Sequence, residues 1–327
     1  MDTTQTSRSS AMLSLVFATV AWGSLFLVGK PLLRELDPAW FTLLRYTGAT
    51  LVLLALLRLR GPLPLASLRA DALPFARMGL AGFGFFSVLV LWGLAHSQPS
   101  HGAVIMATMP ITTQMVRWWR DGVAPTRSTL FGTALALLGV CIVAGVGLQQ
   151  ETGSPSVTTT TWRGDLAAWV GTLGWIAYTR GSARWARLDV LTFSTWTAVA
   201  AWPLLLAAAV LSSLLGWSRW PTLALVADHA LPLAYIGLVP SALAVLAFNR
   251  GVKTLGAVTG TAFLNLVPVS ALLLGALLGH VPSARELLGV AMVIGALLLH
   301  TAAQRSAAAP AARARASQAG APCTAAP

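Results

Sequence analysis

The chain has 327 residues, of which 56% are hydrophobic and only 10% are Asp, Glu, Lys or Arg. A soluble globular domain carries about 25% charged residues, so the composition argues against a soluble enzyme, a nucleic-acid-binding domain and a disordered protein. The formal charge of +12 has to be read by position rather than by sign. Cys141 in an apolar run and Cys323 in the tail fit neither a disulfide framework nor a metal site.

A bilayer core about 30 Å thick takes roughly 20 apolar residues of helix, and ten runs of that kind follow one another. The first is Ala11 to Leu33, then Trp40 to Leu57, Leu73 to Ala95, His101 to Trp119 and Ser128 to Leu148. A Ser/Thr-rich linker, Gln149 to Thr161, separates these from Gly164 to Thr179, Val190 to Leu215, Leu231 to Asn249, Leu255 to Gly279 and Glu286 to Ala302. The first run is longer than the roughly 7–15 residues of a cleavable signal's apolar core, so it reads as a retained span. The organisation expected is a short cytoplasmic segment over 1–10, five spans over 11–148, a linker over 149–161, five spans over 162–302 and a disordered tail over 303–327, rich in Ala, Pro and Arg.

Basic residues orient the chain. With the N-terminus inside, only Lys30, Arg34, Arg163, Arg219 and Arg285 fall outside, Arg45 lies within a span, and the other sixteen of the 22 are cytoplasmic. The positive-inside rule then places both termini in the cytoplasm of a cell (inner) membrane protein. Trp40, Trp118, Trp119, Trp162, Trp217 and Trp220 fall near span ends, where indole rings favour the interface.

The two halves can be laid over each other. Gly79-Leu80, Gly93, Gly102 and Pro110 meet Gly237-Leu238, Gly251, Gly260 and Pro268 at an offset of 158. After a slip of one residue, Gly122, Pro125, Leu130, Gly132 and Ala134 meet Gly279, Pro282, Leu287, Gly289 and Ala291. Each half holds an odd number of spans, so the second must enter the membrane upside down. The expected fold is an all-α integral membrane protein of ten transmembrane helices in two inverted five-helix repeats, an arrangement typical of transporters.

Trp22-Gly23, Arg45, the matched segments around Gly79 to Gly132 and Gly237 to Gly289, and the string Leu238-Val239-Pro240-Ser241-Ala242 followed by Asn249-Arg250 carry a resemblance to the drug/metabolite transporter superfamily, in its EamA type. It covers about residues 11–302. The resemblance implies that the first and sixth spans line a central cavity and that Asn249 is a candidate substrate ligand. One departure stands out: the family's Gly-Glu pair before each closing helix is replaced by Gly122-Val123 and Gly279-His280.

A carrier's chemistry lies in polar groups held at membrane depth, where each is costly. No Asp or Glu falls well inside a span, which points to a facilitator or weakly coupled exporter. No Walker motif occurs, so ATP is not the expected fuel. The fourth span puts His101, Thr108 and Thr112 on one face, and the ninth does the same with Thr261 and Asn265. These side chains either line a cavity or bond across helices as glue. Pro110 and Pro268 each delete a backbone donor, so the carbonyls of Met106 and Leu264 are expected to be freed at matched helix breaks. Trp22, Phe26, Trp92, Trp175 and Tyr178 are candidate apolar walls, with packing against core or lipid as the alternative. Arg45 is a lone cation in an apolar run. It can be satisfied by backbone carbonyls, reach Glu35 or Asp37 only by snorkelling, or recognise a substrate carboxylate. Gly132, Ala136, Gly139, Val143 and Gly147 form a small-residue stripe, read as a packing surface or a homodimer surface.

The function expected is a carrier exporting small metabolites, such as amino acids or similar amphipathic solutes, by alternating access, with membrane lipids around it and no cofactor or nucleic acid. Multidrug efflux is the alternative. An intramembrane lipid enzyme finds no HExxH, paired acids or Cys-His set.

Overall fold

A computed structural model describes residues 3–96, 99–143, 161–185, 188–279 and 281–319 of the protein. Ten long helical segments follow in chain order: α1 (Thr3–Leu32), α2 (Pro38–Leu59), α3 (72–95), α4 (99–121), α5 (Arg127–Val143), α6 (Thr161–Arg184), α7 (Val190–Leu214), α8 (Ala230–Leu255), α9 (Ala257–Leu277) and α10 (Ala284–Ala319). Seven of them (α1, α2, α3, α7, α8, α9 and α10) are long and apolar enough to cross a membrane on their own sequence. The other three differ for local reasons. α4 is broken in two, α5 has 17 described residues, and α6 carries Arg163, Asp165, Arg180 and Arg184.

The repeat is visible in the irregularities as well as in the helices. α3 contains one π-helical stretch, Leu80–Phe85, and α8 contains another, Gly237–Leu243. α4 breaks at Thr108, just before Pro110, and α9 breaks at Leu264 and Asn265, just before Pro268. The Leu264 carbonyl is not freed there: it accepts from the Val267 N–H at 2.9 Å, a tight turn that re-uses the acceptor. Two short helices that the sequence reading did not include, Leu65–Ala70 and Leu223–Asp228, occupy matching places before α3 and α8.

The shared string around Gly122 and Gly279 is helix punctuation. Both glycines have positive φ, +68° and +100°, a conformation that a Cβ disfavours. Thr126 and Ser283 then cap the closing helices. Ser283 and Glu286 form a reciprocal capping box, with the Ser283 N–H donating to Glu286 Oε2 at 2.7 Å and the Glu286 N–H donating to Ser283 Oγ at 3.3 Å. The second helix of each half begins on an aspartate. Asp37 accepts from the Ala39 N–H, and Asp189 accepts from the N–H groups of Leu191 and Thr192. Desolvation raises the Asp189 pKa, but the Thr192 hydroxyl, these N–H groups and the Arg60 guanidinium outweigh it and hold the carboxyl below its usual range.

Packing follows the same two-fold plan. α2 lies against α7 and α5 against α10, while α1 packs on α8 and α9 as α6 packs on α3 and α4. Hydrophobic burial supplies little between helices in lipid, so close backbone approach matters more. Gly139 of α5 meets the Gly289 backbone of α10, and a Cβ built on either would lie under 3.0 Å from the other's carbonyl oxygen. The small-residue stripe is thus occupied within the chain by its own tenth helix, with Gly132, Ala136 and Gly139 buried; Gly147 lies outside the described residues.

Some helix bounds differ from those read in the sequence. α6 and α8 each run past their expected ends, to Arg184 and Leu255. Helix α10 continues to Ala319 across much of the stretch expected to be disordered, where Ala and Arg, both strong helix formers, dominate. The linker residues 149–160 lie outside the described residues, whereas Thr161 opens α6.

Candidate functional site

The two halves meet on aromatic rings. Trp22 of α1 and Trp175 of α6 sit edge to face with centroids 5.5 Å apart, and Phe248 of α8 touches both, at 5.1 and 5.5 Å. Tyr178, one turn beyond Trp175, continues the cluster through Phe83 to Tyr46 of α2. Gly82, within the α3 π stretch, leaves the room for the Tyr178 ring: a Cβ there would lie 2.5 Å from it. In α8, the carbonyl of Pro240, within the other π stretch, accepts from Trp22 Nε1 at 2.8 Å. Trp175 Nε1 is buried and has no partner among the described residues.

Asn249 is fully buried and committed to protein. Its Nδ2 donates to the Tyr178 hydroxyl at 2.7 Å and to Ser194 Oγ at 2.9 Å, and its Oδ1 accepts from Ser182 Oγ at 3.0 Å. That network ties α6, α7 and α8 together. Asn265 is the opposite case. It stands at the α9 break, 4% exposed, with its Oδ1 unpartnered. The Thr108, Thr112 and Thr261 hydroxyls all donate to carbonyls one turn back on their own helices. Their donors are spent locally, and among the described residues none of the three donates across helices. The C-terminal part of α4 and the N-terminal part of α9 pack together, which brings the helix segments bearing Thr112 and Thr261 into contact.

Arg45 is buried beside neutral partners. Its Nη2 donates to the Tyr46 hydroxyl at 2.8 Å and to Ser87 Oγ at 3.4 Å, and the guanidinium carbon lies 4.4 Å from the Tyr46 ring centroid. Neither Glu35 nor Asp37 reaches it, because Glu35 pairs with His229 at 3.3 Å and Asp37 caps α2.

Phe26 and Trp92 stand apart from the cluster. Both are exposed, and Trp92 stacks on His96 at the end of α3. His101 belongs to α4, but its side chain lies outside the described residues, as does His280. Sequence reasoning missed Phe248, Phe86, Tyr46 and the serines at 87, 182 and 194. Phe248 adjoins Asn249 in the stretch that carried the resemblance, but the serines had no periodic signal. Across one end of the molecule, Arg180 of α6 bonds both Asp121 carboxylate oxygens of α4, at 3.0 and 2.8 Å, and Arg184 adds a further bond.

Two inverted five-helix halves closing on tryptophans of the repeat-related first and sixth helices define a membrane transporter of the two-repeat helical class. The chain belongs to the EamA-like transporter family, whose profile matches residues 9–145 and again 162–302. It is 26% identical to the uncharacterized transporter YrdR of Bacillus subtilis (strain 168), over 90% of this chain and 91% of that protein. It is 29% identical to a protein of Streptantibioticus cattleyicolor named as a probable terminal-alkyne amino-acid exporter, over 89% of this chain and 93% of that one. Its fold matches a crystal structure with a TM-score of 0.73 at 21% identity, covering 91% of this chain and 98% of the other.

Proposed function

We propose that the protein is an inner-membrane carrier that exports small amphipathic metabolites, amino acids among them, by alternating access without ATP. The observation that carries this reading is the meeting of Trp22 and Trp175, from the repeat-related first and sixth helices, between the two halves. Buried polar atoms at Trp175 Nε1, Ser241 Oγ and Asn265 Oδ1 have no partner among the described residues. Such atoms are costly unless a solute or water meets them. The relative named as an exporter of an amino acid supports both the direction and the solute class. On this reading the protein acts as a carrier rather than as an intramembrane enzyme, and Trp22, Trp175, Thr112, Thr261 and Asn265 form the solute site, with Asn249 holding Tyr178 in place behind it. The experiment is untargeted metabolite analysis of a deletion strain against an overexpressing one: the exported solutes should rise in the cells of the first and in the medium of the second. Identical profiles would reject the carrier.

Asn265→Ala should weaken transport roughly three- to tenfold, the worth of one neutral hydrogen bond of about 0.5–1.5 kcal/mol. Removing an unpartnered carbonyl oxygen leaves no protein group stranded, so melting in detergent should hold or rise. Normal transport with a much earlier melt would move the site elsewhere.

The same reading puts both termini in the cytoplasm and the 149–160 linker outside. Thr158→Cys, on a background lacking Cys141 and Cys323, should label from outside in intact cells. Labelling only after permeabilisation would reverse the orientation.

A further inference from the structure

Arg45 is a charged side chain with no carboxylate partner among the described residues. It lies about two turns into α2 and is nine-tenths buried. Its one good hydrogen bond and one long one both use Nη2, and both acceptors are neutral hydroxyls. Nε is buried without an acceptor, and no described residue accepts from Nη1. Among the described residues no carboxylate forms an ion pair with it; Glu35 and Asp37, the nearest in sequence, face His229 and cap α2. The Tyr46 ring face offsets only part of the cost of a desolvated cation.

A buried guanidinium with idle donors is poor glue. A structural arginine would spend those donors on backbone carbonyls, and this one spends none there. The ring chain that starts at Trp22 and Trp175 passes through Tyr178 and Phe83 and ends on Tyr46, directly beneath Arg45. Ser87 lies two residues past the α3 π stretch, and its Oγ sits 3.4 Å from the Tyr46 hydroxyl with which it shares Nη2. Both bonds fall on one corner of the guanidinium and leave Nε and Nη1 without an acceptor among the described residues.

We propose that Arg45 is the anion subsite of this carrier and takes the carboxylate of the exported solute, to which a planar guanidinium is matched. The inference rests on the carrier reading and narrows its solutes to those bearing a carboxylate.

The test compares wild type, Arg45→Gln and Arg45→Lys by the untargeted metabolite analysis above, with each purified protein melted in detergent. Solutes moved by the wild type should carry a carboxylate. Arg45→Gln should cut their export tenfold or more while melting no earlier than wild type, since it removes an unpaired charge. Arg45→Lys keeps the charge but loses the planar fork, and should fall between the two. Three outcomes overturn the subsite while leaving the carrier intact: wild-type solutes with no acidic group, solutes whose only acidic group is a phosphate or sulfonate, or undiminished carboxylate export by Arg45→Gln. Where Arg45→Gln fails to fold, normal export by Arg45→Lys would show that the charge serves the fold, and would also overturn it. A wild type that moves no solute removes the carrier reading itself.

Discussion

Gly79→Ala is expected to destabilise the protein by about 1–3 kcal/mol, the usual cost of forcing a methyl group into a packed interior, whereas its repeat mate Gly237→Ala should be nearly neutral. Both glycines sit where a π stretch begins and a helix from the other half crosses. At Gly79 a Cβ would lie 2.2 Å from the Thr197 carbonyl oxygen of α7 and 3.1 Å from Ala201 Cβ. That oxygen belongs to helix backbone and cannot swing aside, so α3 and α7 must separate. At Gly237 the nearest atom is the Gly48 Cα at 3.1 Å, with the Arg45 carbonyl at 3.4 Å. The facing residue is itself a glycine, so a shift of a few tenths of an ångström suffices. Melting temperatures of the two purified variants decide the matter, and equal losses would mean that the crossings are looser than their geometry.

Asn249→Ala should cost about 1–3 kcal/mol, through the buried network it breaks. Three hydroxyls lose a partner, but they are not equivalent. Ser182 and Ser194 are helical and can turn back onto a carbonyl one turn earlier, as Thr195 and Thr197 already do. That recovery is why cross-helix bonds in membranes average only about 0.6 kcal/mol. The Tyr178 phenol, fully buried on a rigid ring, cannot turn, but the Thr197 and Ser194 hydroxyls stay beside it. Adding Tyr178→Phe to Asn249→Ala should therefore not raise the melting temperature. A double variant that melts clearly higher than Asn249→Ala alone would show that the phenol is stranded after all.

Much of this architecture can be read from local chemistry. The Gly122 and Gly279 strings could be matched because a C-terminal glycine and a Thr or Ser cap are required at each turn into a closing helix. The matched Pro110 and Pro268 similarly mark the helix breaks. The π stretches are less legible. Leu80–Phe85 and Gly237–Leu243 are apolar runs with no local demand for an extra residue per turn, and only the rings and carbonyls of crossing helices give that widening a purpose. The site divides in the same way. Trp22, Trp175 and Tyr178 were visible as helical faces in repeat-related spans. The difference between Asn249, saturated by Ser182, Ser194 and Tyr178, and Asn265, with an idle carbonyl oxygen, exists only in three dimensions. Arg45 was visible as an isolated charge, but the neutrality of its partners was not.

The most direct measurement of the central claim is flux through the purified protein. Lipid vesicles containing it would be loaded with a mixture of the twenty amino acids, uniformly labelled with ¹³C, and the labelled species appearing outside would be followed by mass spectrometry. An alternating-access carrier without a membrane-embedded carboxylate should release at least one amino acid faster than protein-free vesicles do. That release should accelerate when the same unlabelled amino acid is supplied outside, and it should persist when an uncoupler collapses the proton gradient. Release no faster than from empty vesicles would contradict the amino-acid carrier, and release abolished by the uncoupler would contradict its independence of protons.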